Sequence, residues 1–260
     1  MIHTIRQKAK MIDLRTGDCI ELAKQLDDNS IDCTVTSPPY NKQKIWGTKF
    51  RKIEYDNFDD SLPEDVYQRQ QIELLNILFH KTKEGGSLFY NHKVRHLQGN
   101  ATSPWQWLPK TKWHIRQEII WNRGSSPEIS GYRFMQIDER IYWLCKGAKR
   151  PKLPRRSVNY GSVWKFDPEM KNPHPAPFPI VLPLRCIQAV MEAPGVVLDP
   201  YSGSGTTGLA ATLLGHDYIG FDLSDDYHAM ARERISNPSR RDLDWFAIHS
   251  AKTRFDLFTN

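Results

Sequence analysis

One short stretch of the sequence has residue types suited to binding a flat, polar aromatic group such as a nucleobase: Ser37, Pro38, Pro39 and Tyr40. It directly follows the apolar, β-branched run 31–36, which predicts a buried strand. Ligands of open α/β sheets bind just beyond the carboxyl ends of strands. Because proline lacks an N–H, the proline carbonyls are expected to point outward unpaired. The Ser37 hydroxyl and the Pro38 carbonyl could then accept hydrogen bonds from an exocyclic amine while Tyr40 stacks on its ring. The alternative is an ordinary Pro-Pro turn after a strand.

A glycine-rich turn is the second candidate site. The apolar segment 196–199 predicts a strand, and a helix of small residues is expected at 209–214. Glycines between them would let the backbone pass close to a ligand, and the helix N-terminus would offer N–H groups to a carboxylate. No Lys-Ser/Thr pair follows the glycines, so the turn is not a phosphate-binding P-loop, and it fits the dinucleotide fingerprint poorly. The residues of this motif are Asp199, Tyr201, Ser202, Gly203, Gly205, Thr206 and Thr207.

The next predicted strand, 218–221, ends at Asp222. An acid at that position is well placed to accept hydrogen bonds from a ribose diol, as in nucleotide-binding folds. The alternative for Asp222 is a helix N-cap or a surface acid.

These motifs together resemble the β group of amino-group DNA methyltransferases, which use S-adenosylmethionine. Residues 37–40 match the family's catalytic motif, 199–207 its methionine-pocket motif, and Asp222 its ribose-binding acid. Asp18, ahead of a helix predicted at 19–26, resembles the acid that meets the cofactor adenine, and Phe178 lies in a segment similar to the cofactor-flanking one. The catalytic motif precedes the cofactor motif, which is the permuted order of the β group. The match covers about residues 11–236.

The resemblance implies an α/β fold: a Rossmann-like class I methyltransferase sheet, mostly parallel with an antiparallel hairpin, flanked by helices and forming a single domain over 1–260. It also implies that the target base leaves the duplex and that the methyl group moves by in-line displacement without a covalent intermediate. Within the family, Ser at the first motif position is commonly linked to cytosine N4 and Asp to adenine N6. Ser37 therefore favours N4-methylcytosine, with N6-methyladenine as the alternative.

Composition agrees with a globular enzyme. The 260 residues are 39% hydrophobic, and no run of about 18 apolar residues predicts a membrane span. Residues 1–10 carry charges and no apolar stretch, so no secretory signal is expected. The four cysteines show no paired spacing and the histidines are scattered. We therefore expect reduced thiols, no metal site and a cytoplasmic location.

The charge distribution favours double-stranded DNA as the partner. The formal net charge is +6, and the segment 146–156 holds six Lys and Arg and no acid, although a solvated loop is its alternative reading. The loop 41–60 interleaves basic and aromatic residues, which suits contact with DNA around a flipped base. A recognition insertion is expected at about 146–172, and further DNA-contacting or functional loops at 92–113 and 122–133. The candidate DNA-binding residues are Lys42, Lys44, Lys49, Arg51, Lys149, Arg150, Lys152, Arg155 and Arg156.

Other elements follow from periodicity and punctuation. Helices are expected at 63–82, at 179–193 with a start kinked or delayed by Pro183, and at 224–235. A strand is expected at 87–91 after the pair Gly85-Gly86, and an antiparallel pair at 115–122 and 137–144. The tail 237–260 could cover a sheet edge or a subunit face.

The sequence leaves four matters open. A protein that binds the cofactor and DNA without catalysis is an alternative, although both motifs are intact. An RNA or protein methyltransferase is another, because a basic surface does not distinguish DNA from RNA. A cognate restriction endonuclease, and the choice between monomer and homodimer, are likewise open.

Overall fold

The computed structural model describes residues 10–41, 60–97, 99–126, 130–147, 153–154, 157–158, 160–169 and 177–255, with the last five for their backbone only. The strands in this part of the chain are β1 (Ile12–Thr16), β2 (Ile31–Thr36), β3 (Thr82–His92), β4 (Arg95–Leu97), β5 (Asn100–Thr102), β6 (His114–Asn122), β7 (Asp138–Cys145), β8 (Val163–Lys165), β9 (Val196–Asp199) and β10 (Asp217–Asp222). The helices are α1 (Cys19–Lys24), α2 (Glu64–Lys81), α3 (Val181–Val190), α4 (Thr206–Leu214), α5 (Asp225–Ser236) and α6 (Arg240–Phe255). None of these helices is long and apolar enough to cross a membrane.

Eight strands form one twisted layer in the order β1, β10, β9, β2, β3, β7, β6, β8. The five strands from β1 to β3 are parallel to one another. Strand β7 runs antiparallel to both of its neighbours, β3 and β6, and β8 pairs parallel with β6. This is the predicted Rossmann-like arrangement, mostly parallel with an antiparallel hairpin, and the prediction is confirmed.

Helices cover both faces of the sheet, as a sheet with two apolar faces requires. Helices α3, α4 and α5 contribute to the core on one face, together with the apolar side chains of β6 and β7 that point to it. Helices α1 and α2 form the core on the other face together with Trp107 and Leu108. Trp107 lies between two short 3₁₀ turns, and Leu108 begins the second of them. The central parallel strands β2, β9 and β10 are buried along most of their length, which explains their mainly apolar sequences, whereas the edge strand β1 is only half-buried.

The predicted helix 179–193 is shorter than expected, at Val181–Val190. Pro183 lies in its first turn, where a backbone N–H has no intrahelical partner to lose. The start is therefore delayed rather than kinked, with the N–H of Leu182 already bonded to the Pro179 carbonyl at 3.0 Å.

One prediction at the level of elements needs correction. The strand expected at 87–91 begins at Thr82, so Gly85 and Gly86 lie inside it instead of opening it. Glycine is needed at position 86, because a Cβ there would come within 2.5 Å of the Thr82 side chain and 2.9 Å of the Lys83 carbonyl. The expected DNA-contacting segment 92–113 contains the β4–β5 hairpin, and the described part of the expected recognition insertion 146–172 contains strand β8.

The tail, whose role the sequence left open, forms α6 and packs against α3 within the same chain. Trp245 and Phe246 are partly buried against the core on that face. Arg234 of α5 fixes the start of α6 through Asp242, with N–O distances of 2.8 and 3.4 Å. The tail thus extends the helical layer.

Candidate active site

The two motifs predicted from the sequence meet at one edge of the sheet. Strands β1, β10, β9 and β2 are adjacent and parallel, so their carboxyl ends lie side by side. Those ends carry, in that order, Asp18, Asp222, Asp199 and Ser37. Backbone bonds tie the first two connections together, because the N–H of Gly17 donates to the Asp222 carbonyl at 2.8 Å.

Asp199 joins the catalytic motif to the glycine motif. Its Oδ1 accepts a hydrogen bond from the Thr36 hydroxyl at 2.9 Å, and its Oδ2 accepts one from the Thr207 hydroxyl at 2.7 Å. The N–H of Tyr201 also donates to Oδ1 at 3.1 Å. Thr36 immediately precedes Ser37 and Thr207 lies in the first turn of α4. The Asp199 side chain therefore fixes both the end of β2 and the start of α4. Asp199 is fully buried, and this burial raises its carboxyl pKa to about 6, although the three donors act in the opposite direction.

Asp222 shapes the glycine turn from the neighbouring strand. Its Oδ2 accepts the N–H of Gly203 at 2.9 Å, and its Oδ1 accepts the N–H of Ser224 at 2.9 Å. The residue is half-buried. Each carboxylate oxygen has a second lone pair, so the same group can still accept hydrogen bonds from a ligand hydroxyl.

Two glycines of the turn have a backbone conformation that favours glycine. Gly203 and Gly205 both adopt the left-handed region, with φ of 49° and 74°. A Cβ on Gly205 would stand 2.8 Å from that of Ala231 in α5, so this position needs glycine for packing against a helix. Gly205 therefore brings α4 and α5 together, and the prediction that it brings backbone close to a ligand stays untested.

Most side chains of the glycine motif bind other protein groups. The Tyr201 hydroxyl accepts from the Gln71 side chain at 3.2 Å, and Ser202 accepts from the Tyr218 hydroxyl at 2.9 Å. Thr206 accepts from Arg234 at 2.9 Å. The motif therefore offers a ligand mainly the backbone N–H groups at the start of α4, as a helix N-terminus does.

Asp18 and Phe178 lie at the borders of this site. Asp18 is exposed and caps α1, accepting the N–H groups of Ile20 and Glu21 at 2.9 and 3.1 Å. Phe178 is half-buried and packs against the core on the α3 face. Residues 174–176, the first half of the predicted cofactor-flanking segment 174–179, lie outside the described residues.

The catalytic motif is rigidly held at the end of β2. The Ser37 and Tyr40 hydroxyl oxygens are 2.8 Å apart. The Tyr40 ring lies against the ring of His92, with centroids 4.7 Å apart and planes tilted by 40°. The expectation that both proline carbonyls are unpaired is wrong for Pro39, whose carbonyl accepts a hydrogen bond from Tyr67 at 2.8 Å. Among the described residues, none donates to the Pro38 carbonyl.

Three residues outside the predicted catalytic and cofactor-binding sets complete this cluster. Asn91 Nδ2 lies 2.8 Å from Tyr40 Oη, 2.9 Å from Glu139 Oε2 and 3.3 Å from Ser37 Oγ. The Tyr40 hydroxyl donates to Glu139 Oε2 at 2.9 Å, and Arg123 donates to Glu139 Oε1 at 2.6 Å. Asn91 lies near the carboxyl end of β3, beside β2, so the strand-end rule could have found it. Glu139 lies at the amino end of an antiparallel strand, for which the sequence gives no such signal.

The predicted DNA-binding residues all lie outside the described residues: Lys42, Lys44, Lys49, Arg51, Lys149, Arg150, Lys152, Arg155 and Arg156. The third predicted loop is described in part. It connects β6 to β7 at the edge that carries Glu139, and the Arg123 N–H closes its base on the Ile137 carbonyl at 2.8 Å. Tyr132 and Phe134 in this loop are fully exposed. Within the described part of the chain, no group of His, Cys, Asp and Glu is arranged to hold a metal ion.

The fold and the two motifs at one sheet edge define a Rossmann-like class I methyltransferase. The profile of a family described as DNA methylase, which groups N6- and N4-amino methylases, matches residues 31–233. The chain therefore belongs to this family of amino-group DNA methyltransferases. The predicted family and the predicted dependence on S-adenosylmethionine are confirmed.

Individual relatives cover nearly the whole chain. The type II methyltransferase M.SmaI of Serratia marcescens is 28% identical over 267 residues, covering 84% of this chain and 89% of the relative. The fold is similar to that of the cytosine-N4-specific PvuII DNA methyltransferase, with a TM-score of 0.70, 20% identity, and coverage of 95% of this chain and 94% of that one. M1.HpyAVI, solved as a SAM complex, has a TM-score of 0.60 at 19% identity, with 86% and 99% covered.

Proposed function

We propose that this chain transfers a methyl group from S-adenosylmethionine to the exocyclic N4 of cytosine in duplex DNA. The observation that carries the proposal is Ser37 at the first position of the catalytic motif, held at the sheet edge where the glycine motif also lies. In this family, serine there is linked to cytosine N4. The cytosine-N4 specificity stated for the PvuII enzyme, whose fold is similar, supports the same choice.

The cofactor would lie across the carboxyl ends of β1, β10 and β9. Asp222 would accept hydrogen bonds from the ribose hydroxyls, and Asp18 would meet the adenine. The N-terminus of α4 would bind the methionine carboxylate, because its N–H groups and dipole favour an anion. Phe178 would flank the cofactor.

Asp199 has a different role in this proposal from the one predicted. It is fully buried, and its three hydrogen bonds go to Thr36, Thr207 and Tyr201. We assign it to holding the catalytic motif and the cofactor motif at a fixed separation. Fixed separation is what an in-line displacement needs, because most of the rate gain in such a step comes from alignment.

The target base would leave the duplex and enter the site beside Tyr40. Ser37 and the Pro38 carbonyl would accept hydrogen bonds from its amine and direct the nitrogen lone pair toward the methyl group. The amine attacks the methyl carbon as the bond from carbon to the sulfonium breaks, which leaves S-adenosylhomocysteine, and the methylated nitrogen then loses one proton to water. No cysteine nucleophile takes part. Burial raises the pKa of the Cys33 thiol well above its usual range, which fits a packing role in β2.

The loop between β6 and β7 would contribute to DNA binding. Two fully exposed aromatic side chains, Tyr132 and Phe134, are unusual on a protein surface. Their loop begins at the strand ends that hold Arg123 and Glu139, beside the catalytic motif. Aromatic rings so placed can stack on bases exposed when one nucleotide leaves the duplex. The formal net charge of +6 would add attraction to phosphates.

The test is to incubate the purified chain with S-adenosylmethionine and duplex DNA of mixed sequence, digest the DNA, and measure nucleosides by mass spectrometry. We expect N4-methylcytosine, with none from a Ser37→Ala control. N6-methyladenine without N4-methylcytosine would overturn the choice of base. No methylated nucleoside, with S-adenosylmethionine still bound, would favour a binding protein instead of an enzyme. Preferential methylation of structured RNA in direct competition would overturn DNA as the substrate.

A further inference from the structure

The hydrogen-bond chain behind Ser37 has only one consistent direction. A glutamate carboxylate has no hydrogen to donate, so the Tyr40 hydroxyl donates to Glu139 Oε2. With its only hydrogen used, Tyr40 Oη must accept in its 2.8 Å contact with Ser37 Oγ. The Ser37 hydroxyl hydrogen therefore points to Tyr40. Asn91 Nδ2 faces one lone pair of Ser37 Oγ at 3.3 Å, and the other lone pair remains for a substrate.

Asn91 reinforces this direction. Its amide nitrogen has two hydrogens, and its two shorter contacts are to Tyr40 Oη and Glu139 Oε2. Turning the amide over would set its oxygen against the Glu139 carboxylate, so the negative charge also fixes Asn91. The side chain is buried, yet its Oδ1 has no hydrogen-bond partner among the described residues. The contacts of Nδ2 with Tyr40 and Glu139 therefore set the orientation of the amide.

The carboxylate is itself held from behind. Glu139 is 7% exposed, and its second oxygen accepts a hydrogen bond from Arg123 at 2.6 Å. A buried ion pair of this kind adds little to stability, because the desolvation of both groups offsets their attraction. Both oxygens of Glu139 are occupied by Arg123, Tyr40 and Asn91, so it acts through other residues.

We propose that Glu139 is a positioning residue for methyl transfer: acting through Tyr40, it turns the Ser37 hydroxyl into a dedicated acceptor for the exocyclic amine. The amine donates a hydrogen to Ser37 in the transition state, so a Ser37 hydroxyl with its own hydrogen already committed is pre-organised for that bond. The inference rests on the proposed role of Ser37 in accepting the amine, and it applies whether that amine belongs to cytosine or adenine.

Glu139→Gln is the informative substitution because it keeps the shape of the side chain and reverses the direction of the hydrogen bonds that run through Tyr40 to Ser37. Arg123 has only donors, so it would bind the amide oxygen of the new side chain and turn the NH₂ toward Tyr40 and Asn91. That NH₂ would donate to Tyr40 Oη, and the Tyr40 hydroxyl would then donate to Ser37 Oγ. One Ser37 lone pair would be consumed, and the Ser37 hydrogen would be free to point at the substrate.

The experiment measures the single-turnover rate of methyl transfer with saturating cofactor and DNA, and separately the Kd for S-adenosylmethionine by calorimetry. For Glu139→Gln we expect a rate at least about tenfold below wild type, with an unchanged cofactor Kd. Glu139→Asp keeps the direction of the chain and should recover part of the loss. Tyr40→Phe cuts the chain, and adding Glu139→Gln to it should cost little more, because the two residues act as one unit.

Glu118→Gln is the matched control. Glu118 lies on β6, the neighbouring strand, and its carboxylate contacts Trp105 and Arg140 instead of the catalytic cluster. We expect its rate to equal that of wild type.

A Glu139→Gln rate within about twofold of wild type would overturn the proposal, and so would a full additive loss in the double variant. If Glu139→Gln fails to fold, the Tyr40→Phe and Glu139→Asp rates decide, since the proposal requires the first to be slow and the second to be intermediate or better. Failure of the proposed base choice is visible separately, because wild type would then yield N6-methyladenine while these rate ratios keep their meaning.

Discussion

Asp199 connects the two halves of the site, and the connection has a measurable pH signature. Its pKa is raised from 3.8 to about 6 in the folded protein because the group is fully buried. A carboxyl whose pKa is raised by folding binds its proton more tightly in the native state. Its contribution to stability is therefore complete below about pH 4 and is lost as the pH rises through about 6.

The magnitude follows from the size of the shift. A change of about two pKa units, at about 1.4 kcal/mol each, corresponds to ~3 kcal/mol between the acidic and neutral limits. Asp199→Asn removes this titration while keeping the shape of the side chain. The free energy of unfolding of wild type minus that of the variant should therefore fall by ~3 kcal/mol between about pH 4 and about pH 7.

The assay is urea unfolding followed by far-UV circular dichroism, at several pH values in that range, for both proteins. Thr36→Val is the companion variant: it removes one donor to Asp199 but leaves the carboxyl to titrate, so its pH dependence should persist and move to higher pH. A difference between wild type and Asp199→Asn that is flat with pH, or that rises with it, would show that burial does not dominate at Asp199.

Three further predictions test the binding edge and the packing around it. Asp222→Ala should raise the Kd for S-adenosylmethionine about 10- to 100-fold by calorimetry, because charged hydrogen bonds to a ribose are worth about 1.5–3 kcal/mol each; an unchanged Kd would remove Asp222 from the site. Gly208→Ala should lower the free energy of unfolding by about 1–3 kcal/mol, because the added Cβ would stand 2.5 Å from the buried Tyr218 ring and this clash outweighs a gain of about 1 kcal/mol in helix propensity. Gly161→Ala, in open space, should change the free energy of unfolding little. Chemical denaturation measures both, and a stabilised Gly208→Ala would show that helix propensity wins. Trp107→Ala should lower the free energy of unfolding by about 3–5 kcal/mol, since the side chain is fully buried, and a loss under about 1 kcal/mol would show that the surrounding core collapses into the space.

Sequence reasoning was most successful where local pattern and strand ends coincide. The strand 31–36 and the motif behind it were placed by a β-branched run followed by prolines, and β2 has those same bounds. The glycine turn and Asp222 were placed in the same way, by short apolar strands with a polar residue at the end. In a parallel sheet the carboxyl ends of the strands lie at one edge. Functional residues at several of these ends can therefore be predicted to lie close together before the packing of the helices is known.

Errors arose where tertiary contacts override local signals. Gly85 and Gly86 were expected to open a strand, yet β3 begins at Thr82 and their backbone is hydrogen-bonded to Lys146, at 3.1 and 3.0 Å, on the other side of the strand from β2. The Pro39 carbonyl was expected to be unpaired, but α2 brings Tyr67 against it. The sequence also contains no sign that Asp199 lies in the interior, because the two threonines that converge on it are distant in sequence from each other.

The sequence by itself determined the class of sheet, the edge at which the site forms and the types of residue that do the chemistry, because each of these depends on short segments and on the fixed direction of parallel strands. Only the tertiary structure decided which way the Ser37 hydroxyl points. That direction comes from Asn91 on β3, Glu139 on β7 and Arg123 just after β6. These residues are brought together by the antiparallel pairing of β7 with β3 and β6. A hydrogen bond depends on the distance between two groups in space, which the sequence does not show for segments far apart in the chain.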